Sequence, residues 1–224
     1  MTAFTAETHL NTGAGEPGPM LVWRFGAPRR VIASAVLGGG IREAGWVINA
    51  HVRSDYDRTD PQRHLREIAA RAGLDAEQGV GLLTAADLGR VATAFDGPAG
   101  AVVRCDATVG VSYPTWASAP ESETLPDKPW WPGTINLVCQ LPVPLTDAAL
   151  AGAGITVTEA KTQALLDGGV QGTGTASDAV VICCPVSGRN EPVPFAGPRS
   201  EWGSRLARAV YRAVAHGLAN YLDR

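Results

Sequence analysis

The last third of the chain alternates between β-type and helical segments, and this alternation restricts the fold more than any other feature of the sequence. Residues 134–141 and 179–184 are short apolar runs typical of buried strands. Between them, Thr146 is placed to cap a long helix that reaches residue 167 and ends at two glycines. A second long helix is predicted from Ser200 onward. Because a helix separates the two strands, this order favours a parallel crossover.

The first part of the chain contains shorter segments separated by turn signals. Two β-type runs flank three consecutive glycines, which indicates two strands joined by a tight turn and antiparallel pairing in this half. Asp60 is expected to cap a helix, and Thr84 with Asp87 forms a capping-box pattern. The predicted strands are 31–37, 46–52, 80–83, 91–95 and 101–111, and the predicted short helices are 61–72 and 85–89.

These segments together predict a single domain over residues 21–224 with one mixed β-sheet, of α+β or mixed α/β class. Two long helices near 146–167 and 201–222 and the two shorter helices are expected to pack against the sheet. Residues 1–20 are expected to form a disordered tail. Segment 112–133 carries five of the 16 prolines and three of the 6 tryptophans and is predicted to be a long loop.

Composition limits the partners and the compartment. The formal net charge is −3 with no basic stripe, so nucleic acid is not an expected partner. No apolar run approaches the roughly 20 residues of a membrane helix, and the N-terminus lacks the basic start and apolar core of a signal peptide. The four cysteines show no disulfide framework and are expected to be reduced thiols. The sequence thus predicts a cytoplasmic protein.

Common catalytic and metal-binding signatures are missing from the sequence. It contains no G-x-S-x-G elbow, no phosphate loop and no G-x-G-x-x-G pattern. The four histidines are scattered and form no H-E-x-x-H motif. We therefore expect no bound metal and no resident cofactor.

Two segments place polar groups immediately before predicted buried strands. GTIN (133–136) brings Thr134 and Asn136 to the start of one strand. GTGTASD (172–178) precedes the next strand and contains Gly172, Thr173, Gly174, Thr175 and Asp178. Glycines of this kind allow backbone N–H groups to approach a ligand. The alternative is a glycine-rich turn in which Asp178 bonds to its own backbone.

The long helix between these segments offers a second carboxylate. At 3.6 residues per turn, Glu159 shares a side with the apolar residues Ile155 and Leu166 and is expected to be partly buried. The alternative is that Glu159 reaches solvent from the edge of this stripe. Lys161 lies about 200° away and is expected to face outward.

Several motifs, taken in order, resemble the adenosylcobinamide amidohydrolase family over residues 31–214. The strongest is TEAKTQALLDGGVQGTGTASDAVVICCP (158–185), preceded by GTIN (133–136). The others are SAVLGGGIREAGWVIN (34–49), LLTAADL (82–88), TVGVSYPTWA (108–117) and PFAGPRSEWGSRLARAV (194–210). His51, after Asn49, is not expected in this family and is given no role.

The resemblance implies hydrolysis of the amide that joins an aminopropanol arm to the corrin ring of adenosylcobinamide. The product would be adenosylcobyric acid, which re-enters cobamide synthesis, and cobalt would enter only as part of the substrate. No catalytic residue of the family is carried over to this chain. The alternatives are a corrinoid-binding protein without activity and an amidohydrolase for another amide.

Amide hydrolysis needs an activated nucleophile, donors for the oxyanion and an acid for the departing amine. Within the matching motifs, Glu159 or Asp178 is expected to act as general base on water, and Thr175 as nucleophile is the alternative. Asn136 and the backbone of residues 172–175 are expected to hold the oxyanion. The remaining candidates for substrate binding are Thr134, Gly172, Thr173, Gly174, Asn49 and Ser34.

The loop 112–133 is expected to close over the corrinoid. Its aromatic residues, among them Trp116, Trp130 and Trp131, suit the broad apolar face of a corrin ring. The alternative is that these tryptophans fix the loop permanently to the body of the protein.

Overall fold

The computed structural model describes residues 18–120, 133–188 and 191–223. Within these ranges the chain forms one mixed sheet, as predicted, with seven strands, and three of the four predicted helices are α-helices. The strand order across the sheet is β3-β2-β1-β7-β6-β5-β4. The strands are β1 (Met20–Ala33), β2 (Gly40–His51), β3 (Gly79–Thr84), β4 (Ala92–Asp96), β5 (Val103–Gly110), β6 (Thr134–Gln140) and β7 (Ala179–Pro185); the helices are α1 (Pro61–Arg71), α2 (Asp147–Asp167) and α3 (Glu201–Leu222).

The C-terminal half has the predicted topology. Strands β6 and β7 are parallel neighbours, and α2 makes the connection between them. Thr146 caps α2 by accepting a hydrogen bond from the backbone N–H of Ala149, and Ser200 caps α3 in the same way through Gly203. These two caps determine where the long helices begin.

The N-terminal half differs from the prediction in its pairing. Strands β1 and β2 are antiparallel, as the glycine turn indicated, but β2 and β3 are parallel. The helix α1 lies between them in the chain, so they are joined by a crossover and not by a hairpin.

Strand β1 begins at Met20, well before the predicted start at residue 31. Its early part contains Gly26 and Pro28, which normally interrupt a strand. The structure accommodates them at a shift of register between Arg24 and Arg29, where the pairing with β2 is irregular. One long bent strand therefore joins the two halves of the sheet.

All three helices pack against one face of the sheet. On the opposite face, side chains from distant strands contact one another directly. Trp23 on β1 donates a 2.8 Å hydrogen bond to Asp106 on β5, although β7 and β6 separate these strands in the sheet. Asn49 on β2 donates a 3.0 Å bond to Thr108 on β5. The two ends of the sheet must therefore curl towards each other, so that this inner face is buried without a helix. The inner core contains Leu21, Val31, Val47, Leu82, Val138 and Val181.

The first helix begins at Pro61 as predicted, but the predicted cap on it and the predicted helix at 85–89 are wrong. Asp60 makes no side-chain cap on α1 and instead accepts hydrogen bonds from Arg58. The predicted helix at 85–89 is a 3₁₀ turn at Leu88–Arg90, where Asp87 accepts from the N–H of Gly89. Because Asp60 pairs with the guanidinium of Arg58, its carboxylate does not cap α1.

The predicted tail falls mostly outside the described residues, since residues 1–17 are not among them. The same holds for 121–132 within the predicted loop 112–133. In the described part of the chain, no helix has the length and apolar character needed to cross a bilayer.

Candidate active site

A cavity of about 400 Å³ opens where the starts of β6 and β7 meet the segments that follow β1, β2 and β3. Four predicted site residues border it, although they come from three distant parts of the chain: Ser34, Thr134, Asn136 and Asp178. The other polar or charged residues on its wall are Arg53, Ser54, Tyr56, Thr84 and Ser177, and the apolar ones include Val36, Val52, Leu82, Leu83 and Ala179.

Asp178 is the only carboxylate on the described part of this wall, and its oxygens are fully engaged. Oδ1 accepts from the backbone N–H of Ile135 at 3.0 Å and from the hydroxyl of Thr175. Oδ2 accepts from the backbone N–H of Thr175 at 3.1 Å and from the ammonium of Lys161. Two bonds to each oxygen occupy the four lone-pair positions of a carboxylate. A water molecule would have to displace one of these donors before Asp178 could activate it.

Lys161 is buried, contrary to the prediction that it faces outward, and it forms an ion pair with Asp178. The face of α2 that contacts the protein contains Ala149, Ala153, Ala160 and Ala164 together with Leu150, Val157 and Leu165. Ile155 and Leu166, which were expected to mark the buried stripe, are 64% and 45% exposed. The predicted stripe was therefore on the wrong side of the helix.

Glu159 is exposed, so the expectation of partial burial is wrong. It borders a different cavity between α2 and α3, together with Arg208, Tyr211 and Arg212. Glu159 does not border the cavity that contains Asp178. Of the two predicted carboxylates, the structure brings only Asp178 to the candidate site.

The glycine-rich segment is held by the protein itself. Thr173 N–H donates to the carbonyl of Thr115 and Thr115 N–H donates to the carbonyl of Gly174, both at 2.8 Å. The N–H of Gly172 bonds to Val170. The N–H groups of Gly172, Thr173 and Thr175 already have partners, so three of the four backbone donors expected at the oxyanion point into the protein in this arrangement.

The glycines in this segment are required by internal contacts. A Cβ at Gly174 would overlap both the carboxylate of Asp178 and the ammonium of Lys161. A Cβ at Gly172 would come within 2.9 Å of the backbone of Thr115. The structure therefore gives these residues the role of a tight turn around the ion pair, which was the alternative to ligand binding.

Three polar side chains on different strands form a buried network behind the cavity. Asn136 Nδ2 donates to Asn49 Oδ1 and to the backbone carbonyl of Leu83, each at 2.9 Å. Asn49 in turn donates to Thr108. Asn49 lies behind Asn136 and does not border the cavity itself. Asn136 therefore uses both of its amide hydrogens inside the protein and cannot be the predicted oxyanion donor in this arrangement.

Hydroxyl groups and the guanidinium of Arg53, which pairs with Asp55, supply the remaining polar side-chain groups of the wall. Ser34 Oγ accepts a 3.0 Å hydrogen bond from the N–H of Val180, and its own hydrogen has no described acceptor. Thr134 Oγ1 and Ser177 Oγ lie 2.8 Å apart. Burial raises the pKa of the Tyr56 phenol, which keeps this group protonated at neutral pH. Ser34 is thus the predicted residue best placed to donate a hydrogen bond into the cavity.

The residues of this region that the sequence did not point to include Lys161, Ser177, Thr108 and Tyr56. Lys161, Ser177 and Thr108 lie inside the quoted motifs, so a signal was available. Tyr56 has no such signal, because a loop brings it to the cavity only in the folded chain.

Trp116 is 44% exposed, beside Tyr113 at 41%. The segment that contains them is tied to the glycine-rich turn through Thr115. Trp130 and Trp131 lie outside the described residues, so the predicted closing of the loop remains a prediction.

Comparison with known proteins identifies the family. A family model described as adenosylcobinamide amidohydrolase matches residues 3–224. The chain belongs to this family. An adenosylcobinamide amidohydrolase of Methanosarcina mazei is 31% identical over 192 residues, which cover 83% of this chain and 88% of that protein. An adenosylcobinamide amidohydrolase of Halobacterium salinarum is 32% identical over 201 residues, with coverage of 88% and 84%.

These relatives confirm the resemblance based on the motifs. A solved structure of a protein from Pyrococcus horikoshii OT3 superposes with a TM-score of 0.44 at 14% identity, covering 87% of this chain and 72% of that chain. A likeness this weak adds nothing to the assignment to the adenosylcobinamide amidohydrolases.

Proposed function

We propose that this adenosylcobinamide amidohydrolase cleaves the amide of the aminopropanol arm of adenosylcobinamide in the cavity bordered by Asn136 and Asp178. The products are adenosylcobyric acid and free aminopropanol, which places the protein in corrinoid salvage. The observation that carries the proposal is the convergence of side chains from separate family-like motifs on one cavity, with an ion pair at its wall.

The size of the cavity suits the arm of the substrate and not the whole corrinoid. Pockets that enclose drug-sized ligands measure roughly 300–1,000 Å³, and this one measures about 400 Å³. A corrin ring with its adenosyl group is larger than such ligands. The ring would therefore rest at the mouth of the cavity, where Val36 is 49% exposed, and only the amide arm would enter.

Thr175, Asp178 and Lys161 have the relationship of nucleophile, base and orienting group. The hydroxyl of Thr175 donates to Asp178, and Asp178 is held in place by Lys161. Asp178 borders the cavity and Thr175 lies behind it, so attack requires the Thr175 side chain to turn towards the bound amide. A nucleophile bonded to a base, which is itself held by a third group, is the usual arrangement in covalent hydrolysis. The saturated oxygens of Asp178 favour this role over direct activation of water.

The reaction then proceeds through an ester. Thr175 Oγ attacks the amide carbon and its proton passes to Asp178. The proton next moves to the amide nitrogen, the C–N bond breaks, and aminopropanol leaves. Water hydrolyses the ester on Thr175, which releases the corrinoid acid and restores the hydroxyl. The Ser34 hydroxyl, oriented by the N–H of Val180, donates to the oxyanion formed in each attack.

No resident metal or cofactor takes part in this proposal. In the described ranges, no three His, Cys, Asp or Glu side chains are grouped as a metal site would require, and cobalt belongs to the substrate. The proposal also places the protein in the cytoplasm, with a small corrinoid and not nucleic acid as its partner. The four cysteines are buried thiols, which suits a reducing compartment.

The test is incubation with adenosylcobinamide followed by mass detection of the corrinoid acid and free aminopropanol. Thr175→Val and Asp178→Asn should each lower turnover by roughly 100-fold or more. Glu159→Gln is the matched control on the exposed side of α2 and should keep the normal rate. The mass of intact, rapidly quenched protein should show the ester on Thr175.

The other outcomes separate the alternatives. Loss of activity in Asp178→Asn with a normal rate in Thr175→Val would assign Asp178 as a base on water. Tight stoichiometric binding without release of aminopropanol would identify a corrinoid carrier. Activity lost on chelation and restored by zinc or manganese would refute the metal-free reaction.

A further inference from the structure

The side chain of Asn136 is oriented by the strands around it. It projects from β6 onto the closed inner face of the sheet, is only 2% exposed and borders the cavity. The backbone carbonyl of Leu83 can only accept a hydrogen bond, so the amide nitrogen of Asn136 must face it. The second hydrogen of the same nitrogen goes to Asn49.

The carbonyl oxygen of Asn136 is left without a partner. It is buried and accepts no hydrogen bond from the described residues. An unmet buried acceptor reduces stability, and native proteins retain few of them unless they serve a purpose. Asn136 borders the cavity, but its Oδ1 has no contact with solvent in this arrangement. A donor that arrives with the substrate would meet this need once the groups around the oxygen shift to admit it.

We propose that Asn136 recognises the N–H of the scissile amide, and so makes the site specific for a secondary amide over the corresponding ester. This inference rests on the proposed function and adds the atom through which the substrate is recognised. An amide nitrogen that carries one hydrogen offers one donor, whereas an ester oxygen at the same position offers none. Asn49 and Thr108 are positioning residues, because they hold the amide of Asn136 with its oxygen free.

The primary carboxamides on the rim of a corrin ring also carry N–H groups that could donate to Asn136. A comparison of two substrates shows whether the donor is a ring carboxamide or the scissile amide. One is adenosylcobinamide, and the other is the ester analogue in which oxygen replaces the scissile nitrogen. Both keep the ring carboxamides, but only the first has the N–H at the cleaved bond.

The experiment measures kcat/KM for both substrates in the wild type, Asn136→Ala and Thr108→Val. Asn136→Ala should lower kcat/KM for the amide by about 10-fold and leave that for the ester within about twofold, as loss of one hydrogen bond implies. Thr108→Val should show the same selective loss to a smaller degree. It keeps Asn136 itself, and so carries the test should Asn136→Ala fail to fold.

Gln140 provides the matched control. It lies on the same inner face of the same strand, is equally buried, and its Nε2 also has no described hydrogen-bond partner. It differs from Asn136 because it does not border the cavity. Gln140→Leu should change neither substrate's kcat/KM.

An equal loss for amide and ester would overturn the proposal and assign Asn136 to a ring carboxamide or to the fold alone. If the wild type cleaves neither substrate, the proposed function fails, and dissociation constants are compared in the same variants. A preference for the amide that disappears in Asn136→Ala would still support recognition of the N–H. Equal affinities for the two ligands in the wild type would refute it.

Discussion

Replacing Lys161 by Met should destabilise the protein by about 3 kcal/mol, because it leaves the carboxylate of Asp178 buried without its cation. The side chains of Lys161 and Asp178 are only 9% and 12% exposed. Removing one partner of a buried ion pair typically costs about 3–5 kcal/mol. Asp178 keeps three other donors, from Ile135 and Thr175, which places the expected cost at the lower end of that range.

The assay is urea unfolding at neutral pH, followed by circular dichroism. A loss of about 3 kcal/mol corresponds to a fall in melting temperature of about 6–12 °C for a chain of this size. Asp178→Asn should also destabilise, since it leaves Lys161 buried and unpaired. The double variant has neither charge, so its loss should be smaller than the sum of the two single losses by at least about 1.5 kcal/mol.

Glu159→Met is the control, because it removes a charge from the exposed side of the same helix. Its free energy of unfolding should change by no more than about 0.5 kcal/mol. If Lys161→Met were equally mild, or if the two single losses were additive, Lys161 would reach solvent as the sequence alone suggested. The assignment of Lys161 as the orienting group of Asp178 would then be wrong.

Three further predictions test other parts of the structure. Arg208 and Arg212 lower the pKa of Asp96, so their contribution is present above the unfolded value near 3.8 and is lost as the pH falls through the lower folded value. Asp96→Asn should therefore cost about 1 kcal/mol at pH 7 and less near pH 3, measured by urea unfolding at both values. Burial raises the pKa of the Cys183 and Cys184 thiols, so these cysteines should resist iodoacetamide at pH 8 in the native protein and react fully in urea. Rapid labelling of the native protein would contradict this. Trp116→Ala should raise KM for adenosylcobinamide about 3–10-fold with an unchanged fold, as loss of one aromatic contact implies, and an unchanged KM would remove Trp116 from the binding surface.

The C-terminal half could be predicted because its signals are local. Thr146 and Ser200 cap their helices within three residues, and the strands on either side of α2 are short apolar runs bounded by polar residues. Local hydrogen bonds and periodicity determine such elements, so the sequence carries them directly. The start of β1 could not be predicted, since Gly26 and Pro28 are tolerated only through the irregular pairing with β2.

The candidate site was predictable only in part, for a reason visible in α2. Apolar residues occur on most sides of this helix, so the spacing of apolar residues along the sequence does not indicate which side packs against the protein. The side of α2 that is buried carries Leu150, Val157 and Leu165 together with four alanines, and Lys161 lies among them. Asn136 and Asp178 were identified because they place polar groups at the start of predicted buried strands, and these strands are adjacent and parallel in the structure. Tyr56 and Thr108 reach this region only through the curling of the sheet, which no local pattern encodes.

The hydrogen-bonding capacity of the cavity wall depends on which donors and acceptors are already bonded within the protein. Most of the predicted donors, namely the N–H groups of Gly172, Thr173 and Thr175 and the amide of Asn136, direct their hydrogens into the protein. Among the predicted site residues on the wall, Asn136 Oδ1 is an acceptor without a described donor and the Ser34 hydroxyl is a donor without a described acceptor. A secondary amide needs this combination, because its carbonyl oxygen accepts and its nitrogen donates. An ester or a carboxylic acid anion would leave the acceptor unmet. These two unpaired atoms, Asn136 Oδ1 and the Ser34 hydroxyl, therefore indicate the substrate more specifically than the residue types do. The residue types by themselves suggested an oxyanion hole made of amide groups.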